Sequence, residues 1–396
     1  MLDKSCQRFY YIPLTYKSYM YLLYAPIEKF GKIPAGSPLL SKEVIFYNNV
    51  AFCPKFYWRK IHIQNGCRDI SPRFFRKLRS RKKLGTVTIC AFGGYGDSLW
   101  CMPLARAIKE KFPNCIIGIL TDKKNIPLWA NVPYVNRVED NHIWNAFHMF
   151  SRSDEVFDFG GVATVYPQRH KLDPIEFIFK LAEWPLPKEK SKCRPLLVVT
   201  VDEGKSMEKL LTAKGIDLSK DKVVSIAVHS STPDRDWPLA YNIDLSKALV
   251  REGLKVIWLG KSDGFSSKIG SRLSDTSGII NLVNETKIRE AMAIIGLSDL
   301  FIGPNSGLMV IATALRIPSV GIFGAFNPAI RCKFYERFSA VWGKMPCSPC
   351  NDHWTECRYG HPSPCMKKAL PSKVFMEAKR LLTKYPRHAI SKLTLE

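Results

Sequence analysis

The chain has 396 residues, of which 46% are hydrophobic and 12% aromatic. This composition excludes an intrinsically disordered protein, and the length is sufficient for two or three folded domains. The formal net charge is +24, and residues 1–85 hold 17 Lys and Arg against 4 Asp and Glu. No apolar run approaches the ~20 residues that a membrane-spanning helix needs, and the opening residues lack the layout of a secretion signal, so we expect a cytoplasmic protein.

The segment 1–84 forms a basic, aromatic-rich N-terminal extension that ends in "RFFRKLRSRKK". It has two interpretations: a solvated basic surface, or an electrostatic contact with an anionic partner. The anionic partners that we expect are the inner membrane face, where the protein would be peripheral, and an anionic acceptor molecule. Nucleic acid is not an expected partner, because we find no motif that reads it.

From residue 85 onward, short apolar strands alternate with amphipathic helices. The first series contains the strand "TVTICAFGG", the helix "SLWCMPLARAIKEKF", and the strands "CIIGILTD" and "DEVFDFGG". The second series contains the strand "VVSIAVHSS", the helix "PLAYNIDLSKALVREG", the strand "LKVIWLG", the helix "KIREAMAIIGLS", the strand "DLFIGPNSG", the helix "LMVIATALR" and the strand "PSVGIFG". This order predicts an α/β protein with two parallel, Rossmann-like sheets.

We predict four segments along the chain. The extension 1–84 precedes a first Rossmann-like domain at 85–205, and a polar hinge lies near 200–220. A second Rossmann-like domain covers 220–370 and includes a cysteine-rich loop at 345–366. A C-terminal helix and tail follow at 371–396. Ligands bind beyond the carboxyl ends of parallel strands, so we expect the site in the cleft between the two domains.

The loop "FGGYGDSLWCMP" follows the first strand, and Gly94 and Gly96 permit a tight turn at the start of a helix. We place Asp97 at the N-cap of that helix. Its carboxylate has two interpretations: a helix cap, or a general base that takes a proton from a substrate hydroxyl. The glycine spacing does not match the dinucleotide-binding fingerprint.

Two further strand-to-helix loops carry groups that suit an anionic ligand. The loop "AVHSSTPDRDWPL" combines hydroxyls with a guanidinium, a donor set suited to a diphosphate. The loop "GPNSG" opens a helix, where backbone N–H groups favour anions or sugars. An ordinary capped turn is the alternative for each loop. The candidate residues are Ser230, Ser231, Arg235, Asn305, Ser306 and Gly307.

Four cysteines, Cys347, Cys350, Cys357 and Cys365, lie within the stretch "MPCSPCNDHWTECRYGHPSPCM". Their spacing is compatible with a tetrahedral thiolate site for zinc or iron. Two disulfides and four free thiols are the alternatives, although a reducing compartment disfavours disulfides. Four thiolates would complete the coordination of a metal, so we expect a structural site rather than a catalytic one.

The ordered set of these loops resembles glycosyltransferase family 9, the ADP-heptose:lipopolysaccharide heptosyltransferases. The resemblance covers residues 85–385. It rests on "GYGDSLWCMPLARAIKEKFP", "VPYVNRV", "HSSTPDRDWP", "GPNSGLMVIATALRIPSVGIFGAFNP" and the "CSPC…C…C" spacing, which has a counterpart in one branch of the family. It implies a GT-B fold and an inverting transfer, without a catalytic metal, of heptose or a similar sugar. The implied donor is a nucleotide diphosphate sugar, ADP-heptose first, and the implied acceptor is an anionic glycolipid or glycan of the lipopolysaccharide type.

The resemblance also assigns roles to residues. Asp97 matches the general base, and Gly94 and Gly96 lie in its acceptor-side loop. Asp263 lies near the position of an acidic residue that binds the ribose. The residues that match the diphosphate and sugar contacts are Ser230, Ser231, Arg235, Asn305, Ser306 and Gly307.

Two positions depart from the family pattern. Asn305 replaces the usual aspartate, and Val310 replaces a histidine. Both changes leave the donor sugar open. They favour, as an alternative to an active enzyme, a GT-B scaffold that has lost catalysis and binds polyanions. A further alternative within the same family is a glycosyltransferase whose acceptor is a protein.

Overall fold

A computed structural model of the chain describes residues 20–24, 45–47, 50–54, 68–69, 84–142, 145–146, 148–149, 152–159, 171–261, 278–350, 357 and 359–386. Asp263, the tail 387–396 and most of the N-terminal extension therefore lie outside the described residues. Within the described part of the chain, no helix is long and apolar enough to cross a membrane.

The described pieces of the extension form a small antiparallel sheet, which the sequence analysis did not predict. Its strands are β1 (Met20–Tyr24), β2 (Ile45–Tyr47), β3 (Val50–Pro54) and β4 (Arg68–Asp69), in the order β2-β3-β1-β4. The antiparallel pairing of β1 with β3 sets this sheet apart from the parallel sheets that follow.

The first parallel sheet confirms the first predicted strand–helix series. It contains β5 (Thr86–Cys90), β6 (Ile116–Thr121), β7 (Arg137–Asp140) and β8 (Glu155–Asp158), in the order β7-β6-β5-β8. The central strands are apolar and buried, as expected for a sheet that helices cover on both faces.

The helix predicted after β5 is divided into two. Helix α1 (Tyr95–Leu99) ends before α2 (Met102–Lys111) begins, with Pro103 in the first turn of α2. Proline has no N–H to donate and fits only the first turn of a helix, so it marks a new start rather than a continuation. Helix α3 (Pro174–Leu181) follows β8 and packs on α2.

The predicted hinge segment contains a helix, α4 (Val201–Ala213). The Thr200 hydroxyl accepts the Glu203 N–H, and the Glu203 carboxylate accepts the Thr200 N–H. This Thr-x-x-Glu capping box is a helix start signal that is visible in the sequence and was missed there.

The second parallel sheet has six strands in the order β11-β10-β9-β12-β13-β14. They are β9 (Val223–Ala227), β10 (Lys255–Leu259), β11 (Ile279–Asn281), β12 (Leu300–Pro304), β13 (Ser319–Phe323) and β14 (Phe338–Trp342). The helices are α5 (Leu239–Arg251), α6 (Ile288–Leu297), α7 (Gly307–Ala314), α8 (Pro328–Arg331), α9 (Pro364–Lys368) and α10 (Pro371–Lys384). Strand β14, which lies at the sheet edge and follows α8, was not predicted.

Arg289, at the start of α6, connects three parts of the chain. Its guanidinium donates to both carboxylate oxygens of Glu203 on α4, to the Val198 carbonyl at 2.9 Å and to the Pro127 carbonyl at 3.3 Å. Pro127 lies in the first sheet's half of the chain, and Val198 lies in the connecting segment. We call this contact the hinge brace, because it ties both halves to the segment between them.

We predict that Glu203→Gln lowers the free energy of unfolding by about 1–2 kcal/mol at pH 7, because it removes a charge-assisted hydrogen bond to Arg289. Burial alone would raise the pKa of Glu203, but hydrogen bonds from Arg289 and Thr200 outweigh burial and lower it. The contribution is therefore present above the ordinary glutamate pKa and lost as pH falls through the lowered value.

Thermal unfolding at pH 7 and at about pH 3.5 measures this loss. The melting temperatures of wild type and Glu203→Gln should differ less at the lower pH than at pH 7. Glu208→Gln, at an exposed position of the same helix, is the matched control. An equal loss of unfolding free energy in Glu203→Gln and Glu208→Gln at pH 7 would contradict a stabilising role for the hinge brace.

Candidate functional site

The glycine loop, residues 93–97, follows the carboxyl end of β5. The Gly93 N–H donates to Asp122 Oδ2 at 2.7 Å, and the Gly94 N–H donates to Asp97 Oδ2 at 2.8 Å. Gly93 has φ +109°, a conformation that favours glycine. Gly94 is the N-cap of α1 and Asp97 is its third residue, so the predicted N-cap position of Asp97 was wrong. A carboxylate at the third helical position still holds the N-cap N–H.

The arginine loop, residues 230–235, follows β9 on the second sheet. Arg235 donates from Nε to Thr232 Oγ1 at 2.7 Å, from Nη2 to Ser231 Oγ at 2.7 Å and from Nη1 to the Asn305 carbonyl at 2.8 Å. Burial lowers the pKa of the Arg235 guanidinium, while the carboxylates of Asp234 and Asp97 raise it. An arginine stays charged in proteins, so this loop presents a held positive charge.

The Ser230 hydroxyl is turned back into its own loop. It donates to the Thr232 carbonyl at 2.6 Å, and the Ser230 N–H donates to Asp236 Oδ1 at 2.7 Å. His229 Nδ1 lies 3.0 Å from the other Asp236 oxygen. Of the predicted pair of hydroxyls, Ser231 is therefore the exposed one, and Ser230 holds the loop's shape.

The third predicted loop connects β12 to α7. Asn305 is 3% exposed and Ser306 is the N-cap of α7. Asn305 Nδ2 and Ser306 Oγ are buried and have no hydrogen-bond partner among the residues that the structure describes. A buried polar atom left unsatisfied costs about 1–3 kcal/mol, so these two atoms at a helix N-terminus are suited to a polar ligand.

Helices α1 and α7 bring the glycine loop and the third loop together. A Cβ atom added to Gly307 would lie 2.6 Å from Tyr95 Cβ, and one added to Gly96 would lie 3.3 Å from Val310 Cγ2. Val310 is 1% exposed in this contact. The carboxyl edges of the two sheets therefore face each other, as the sequence analysis expects.

Arg331, on α8, joins the site although no sequence signal pointed to it. Its guanidinium carbon lies 4.4 Å from the ring centroid of Trp100 and 4.7 Å from that of Phe326, and the residue is 4% exposed. Trp100 is three residues beyond Asp97. Burial lowers the pKa of Arg331, and Asp97 is the charged neighbour that raises it most.

A buried carboxylate, Asp173, supports α8 from the other sheet's half. Asp173 caps α3 by accepting the Ile175 N–H at 2.8 Å. Burial raises its pKa to about 7, against lowering contributions that include the Arg331 charge and a hydrogen bond from the Lys333 backbone. The half-buried Asp97 interacts electrostatically with both Arg235 and Arg331 and raises the pKa of each.

The four predicted metal-ligating cysteines lie near one another. Burial raises the pKa of Cys350, and the neighbouring Cys347 and Cys357 raise it further. Burial raises the pKa of Cys365 to about 11, with further contributions from Cys350 and Cys357. Cys347, Cys357 and Cys365 are free thiols, so the alternative of two disulfides is not realised in this structure.

The donor set of four thiols fits zinc or iron chemically. Among the described residues, no three His, Cys, Asp or Glu side chains already lie close enough together to form a coordination sphere. Cys365 packs against Gly324, where an added Cβ would lie 2.6 Å from its Sγ, so the segment is folded onto the end of β13.

Comparison with known proteins identifies this arrangement. Residues 174–360 match the family model described as glycosyltransferase family 9 (heptosyltransferase). This part of the chain is therefore similar to the family 9 glycosyltransferases. Over 287 residues the chain is 24% identical to lipopolysaccharide heptosyltransferase 2 of Salmonella typhimurium. The aligned region covers 59% of this chain and 81% of that protein.

Two solved structures share the fold of this chain. Heptosyltransferase II of E. coli aligns with a TM-score of 0.56 and 17% identity, over 76% of this chain and 99% of that one. The iron-containing dodecameric glycosyltransferase TibC of enterotoxigenic E. coli aligns with a TM-score of 0.53 and 17% identity, over 78% and 77% of the two chains. The predicted GT-B fold and the prediction of a glycosyltransferase are confirmed.

We predict that Gly307→Ala lowers the free energy of unfolding by about 1–3 kcal/mol, because the added Cβ overlaps Tyr95 in the contact between α1 and α7. The matched control is Gly296→Ala on α6, where an added Cβ has no atom within 4 Å. The control should be neutral or stabilising by up to ~1 kcal/mol. Denaturant unfolding of both variants tests this, and equal stability of the two would show that the helices do not meet as described.

Proposed function

We propose that the protein transfers a sugar, with inversion, from a nucleotide diphosphate donor to a glycan acceptor of the lipopolysaccharide type. The observation that carries the proposal is that the loops of Asp97, Arg235 and Asn305 meet between the two sheets. Helix α1 packs on α7 there, and Arg235 Nη1 lies 2.8 Å from the Asn305 carbonyl. ADP-heptose is the donor that we favour, since the matched relatives are named for heptosyl transfer. The acceptor would be an anionic glycolipid at the inner membrane face, where the basic extension could make a peripheral contact.

Asp97 would act as the general base. Its Oδ2 is held by the Gly94 N–H at 2.8 Å, which fixes the carboxylate at the start of α1. The carboxylate would take the proton of the acceptor hydroxyl while that oxygen forms a bond to the anomeric carbon. Attack from the face opposite the diphosphate gives inversion.

Breaking the bond to the diphosphate places negative charge on the departing oxygen. Arg235 and the N–H groups at the start of α7 would stabilise that charge, because they are held in position before the reaction begins. Arg331 adds a second guanidinium that two aromatic rings hold beside Asp97's helix. These groups account for the leaving-group side with residues of this chain alone.

Asn305 and Ser306 would contact the donor directly. Asn305 Nδ2 is a buried hydrogen-bond donor, whereas the aspartate usual in the family can only accept. We infer that this position binds an acceptor atom of the donor substrate, such as a phosphate or sugar oxygen. Val310 contributes packing rather than charge, since it is buried against Gly96.

We predict that Asp97→Asn lowers the transfer rate by about 10²–10⁴-fold. An asparagine oxygen can still accept the Gly94 N–H, so the melting temperature and the donor affinity should stay close to wild type. Asp244→Asn, at an exposed position of α5, is the matched control and should transfer normally. Transfer by Asp97→Asn at the wild-type rate would remove this carboxylate from the mechanism.

The substrate is tested by a donor screen that measures thermal stabilisation and nucleotide release with ADP-, GDP- and UDP-sugars and a truncated lipopolysaccharide core. ADP-heptose should stabilise the protein most and release ADP only when the acceptor is present. The replacement of aspartate by Asn305 and of histidine by Val310 favours a second candidate, a non-catalytic scaffold. Salt-sensitive binding to a polyanion without nucleotide release from any donor would support the scaffold instead.

We also infer that the four cysteines hold a structural zinc or iron ion. Their thiols already neighbour one another, and a bound cation would favour the thiolate forms that their present environment disfavours. TibC, which shares the fold, is described as iron-containing.

For this site we predict about one metal ion per chain by inductively coupled plasma mass spectrometry, and a lower melting temperature after chelation. Cys350→Ser should lose the metal, whereas Cys115→Ser, which changes a buried thiol of the first sheet, should retain it. A metal-free wild-type protein in which all four thiols react with an alkylating agent would end the idea.

A further inference from the structure

A group of arginines lies at the edge of the second sheet opposite the proposed donor site. Arg316 lies shortly before the first residue of β13, Ser319, and Arg337 lies immediately before the first residue of β14, Phe338. Asn305, in contrast, follows the carboxyl end of β12. All three strands are parallel, so the amino ends and the carboxyl ends lie at opposite edges of the sheet.

One more arginine reaches this place from another part of the chain. Arg194 follows the 3₁₀ segment Lys190–Cys193 between the two sheets, and its pKa is lowered by burial and then by neighbouring positive charges that include Arg316 and Arg337. We call Arg194, Arg316 and Arg337 the arginine cluster.

A single carboxylate, Glu336, pairs with the cluster in the described residues. Its Oε2 lies 3.6 Å from Arg194 Nη1 and 3.9 Å from Arg316 Nε. Both distances exceed a hydrogen bond, so Glu336 offsets part of the charge without satisfying the guanidinium N–H groups. Three arginines with one carboxylate among them leave a surplus of positive charge in a half-buried place.

The cluster also contains buried N–H groups that lack an acceptor. Arg194 Nε and Nη1, Arg316 Nε and Arg337 Nη1 have no hydrogen-bond partner anywhere in the described ranges. Both Arg316 (φ +61°) and Arg337 (φ +51°) adopt a left-handed backbone conformation that is uncommon outside glycine.

We propose that the arginine cluster is a second anion-binding site, which takes a phosphate group and bridges the two halves of the protein behind the cleft. Planar guanidinium groups bind phosphate oxygens with paired, charge-assisted hydrogen bonds. A bound phosphate supplies the missing acceptors and offsets the repulsion among the arginines. Because Arg194 precedes the hinge whereas Arg316 and Arg337 belong to the second sheet's half, its binding links the two halves.

The test uses inorganic pyrophosphate and isothermal titration calorimetry on the full chain. The proposed donor site also binds a diphosphate, so all measurements are made in an Arg235→Gln background. In that background, adding Arg316→Gln should weaken pyrophosphate binding at least tenfold, whereas the control Arg251→Gln, at an exposed position of α5, should leave it unchanged. Undiminished binding after Arg316→Gln overturns the proposal.

Stability without ligand separates a binding role from a structural one. Removing one of several like charges should leave the melting temperature of Arg316→Gln at or above that of Arg251→Gln, and added pyrophosphate should raise the melting temperature only in the control. A lower melting temperature for Arg316→Gln with an unchanged pyrophosphate response would show that the cluster is structural and would overturn the proposal.

A second arm distinguishes the sources of the phosphate group. Flotation with phosphatidylcholine vesicles, with and without phosphatidic acid, measures binding to a lipid headgroup. Loss of phosphatidic acid binding in Arg316→Gln but not in Arg251→Gln assigns the site to a headgroup, and loss of pyrophosphate binding alone assigns it to a free phosphate compound. The guanidinium carbon of Arg337 lies 5.4 Å from the ring centroid of Tyr385, close to the C-terminal residues 387–396 in sequence. A variant that lacks residues 387–396 tests whether the chain itself occupies the cluster. Pyrophosphate binding that appears only in this variant would overturn the proposal.

Discussion

The close contact between helices α1 and α7 is the constraint on which the site depends. Each helix starts at the carboxyl end of a central strand, β5 or β12, and the contact at Tyr95 and Gly307 leaves no room for a further side-chain carbon. Because both helix starts carry functional groups, their approach sets the distance between the proposed base and the proposed leaving-group site. A side chain larger than hydrogen at residue 307 would separate the two sheets at the point where they must cooperate.

This contact also gives a physical account of Val310. A histidine at a position that is 1% exposed and pressed against Gly96 would need a hydrogen-bond partner there, or its charged form would be desolvated. Valine fills the same space without that requirement. The contact between the halves is therefore apolar at this position, and Arg235 and Asn305 are the proposed phosphate contacts.

The sequence predicted the elements that have a repeating apolar pattern and missed those defined by tertiary contacts. Strand β12 and helix α6 are apolar and bounded by polar residues, so their type is visible locally. Strand β14 has the same length as β12 but lies at the sheet edge with one buried residue, so no apolar pattern marks it as a strand. In the sequence, capping and catalysis are alternative roles for Asp97. The structure allows both, because the hydrogen bond from the Gly94 N–H orients the carboxylate.

Arg331 shows why part of the site could not be predicted. An isolated arginine in "NPAIRCK" has no spacing that marks it, and its partners Trp100 and Phe326 come from different halves of the chain. A buried guanidinium is stable only where aromatic faces and carboxylates replace its water, and that environment exists only after both halves fold. The same requirement separates the two arginine groups of the second sheet. At the carboxyl edge, two aromatic rings contact Arg331 and the Asp97 charge acts on it. At the amino edge, Glu336 is the one carboxylate among the described residues that pairs with Arg194 and Arg316. More positive charge therefore remains for a ligand at the edge away from the proposed reaction.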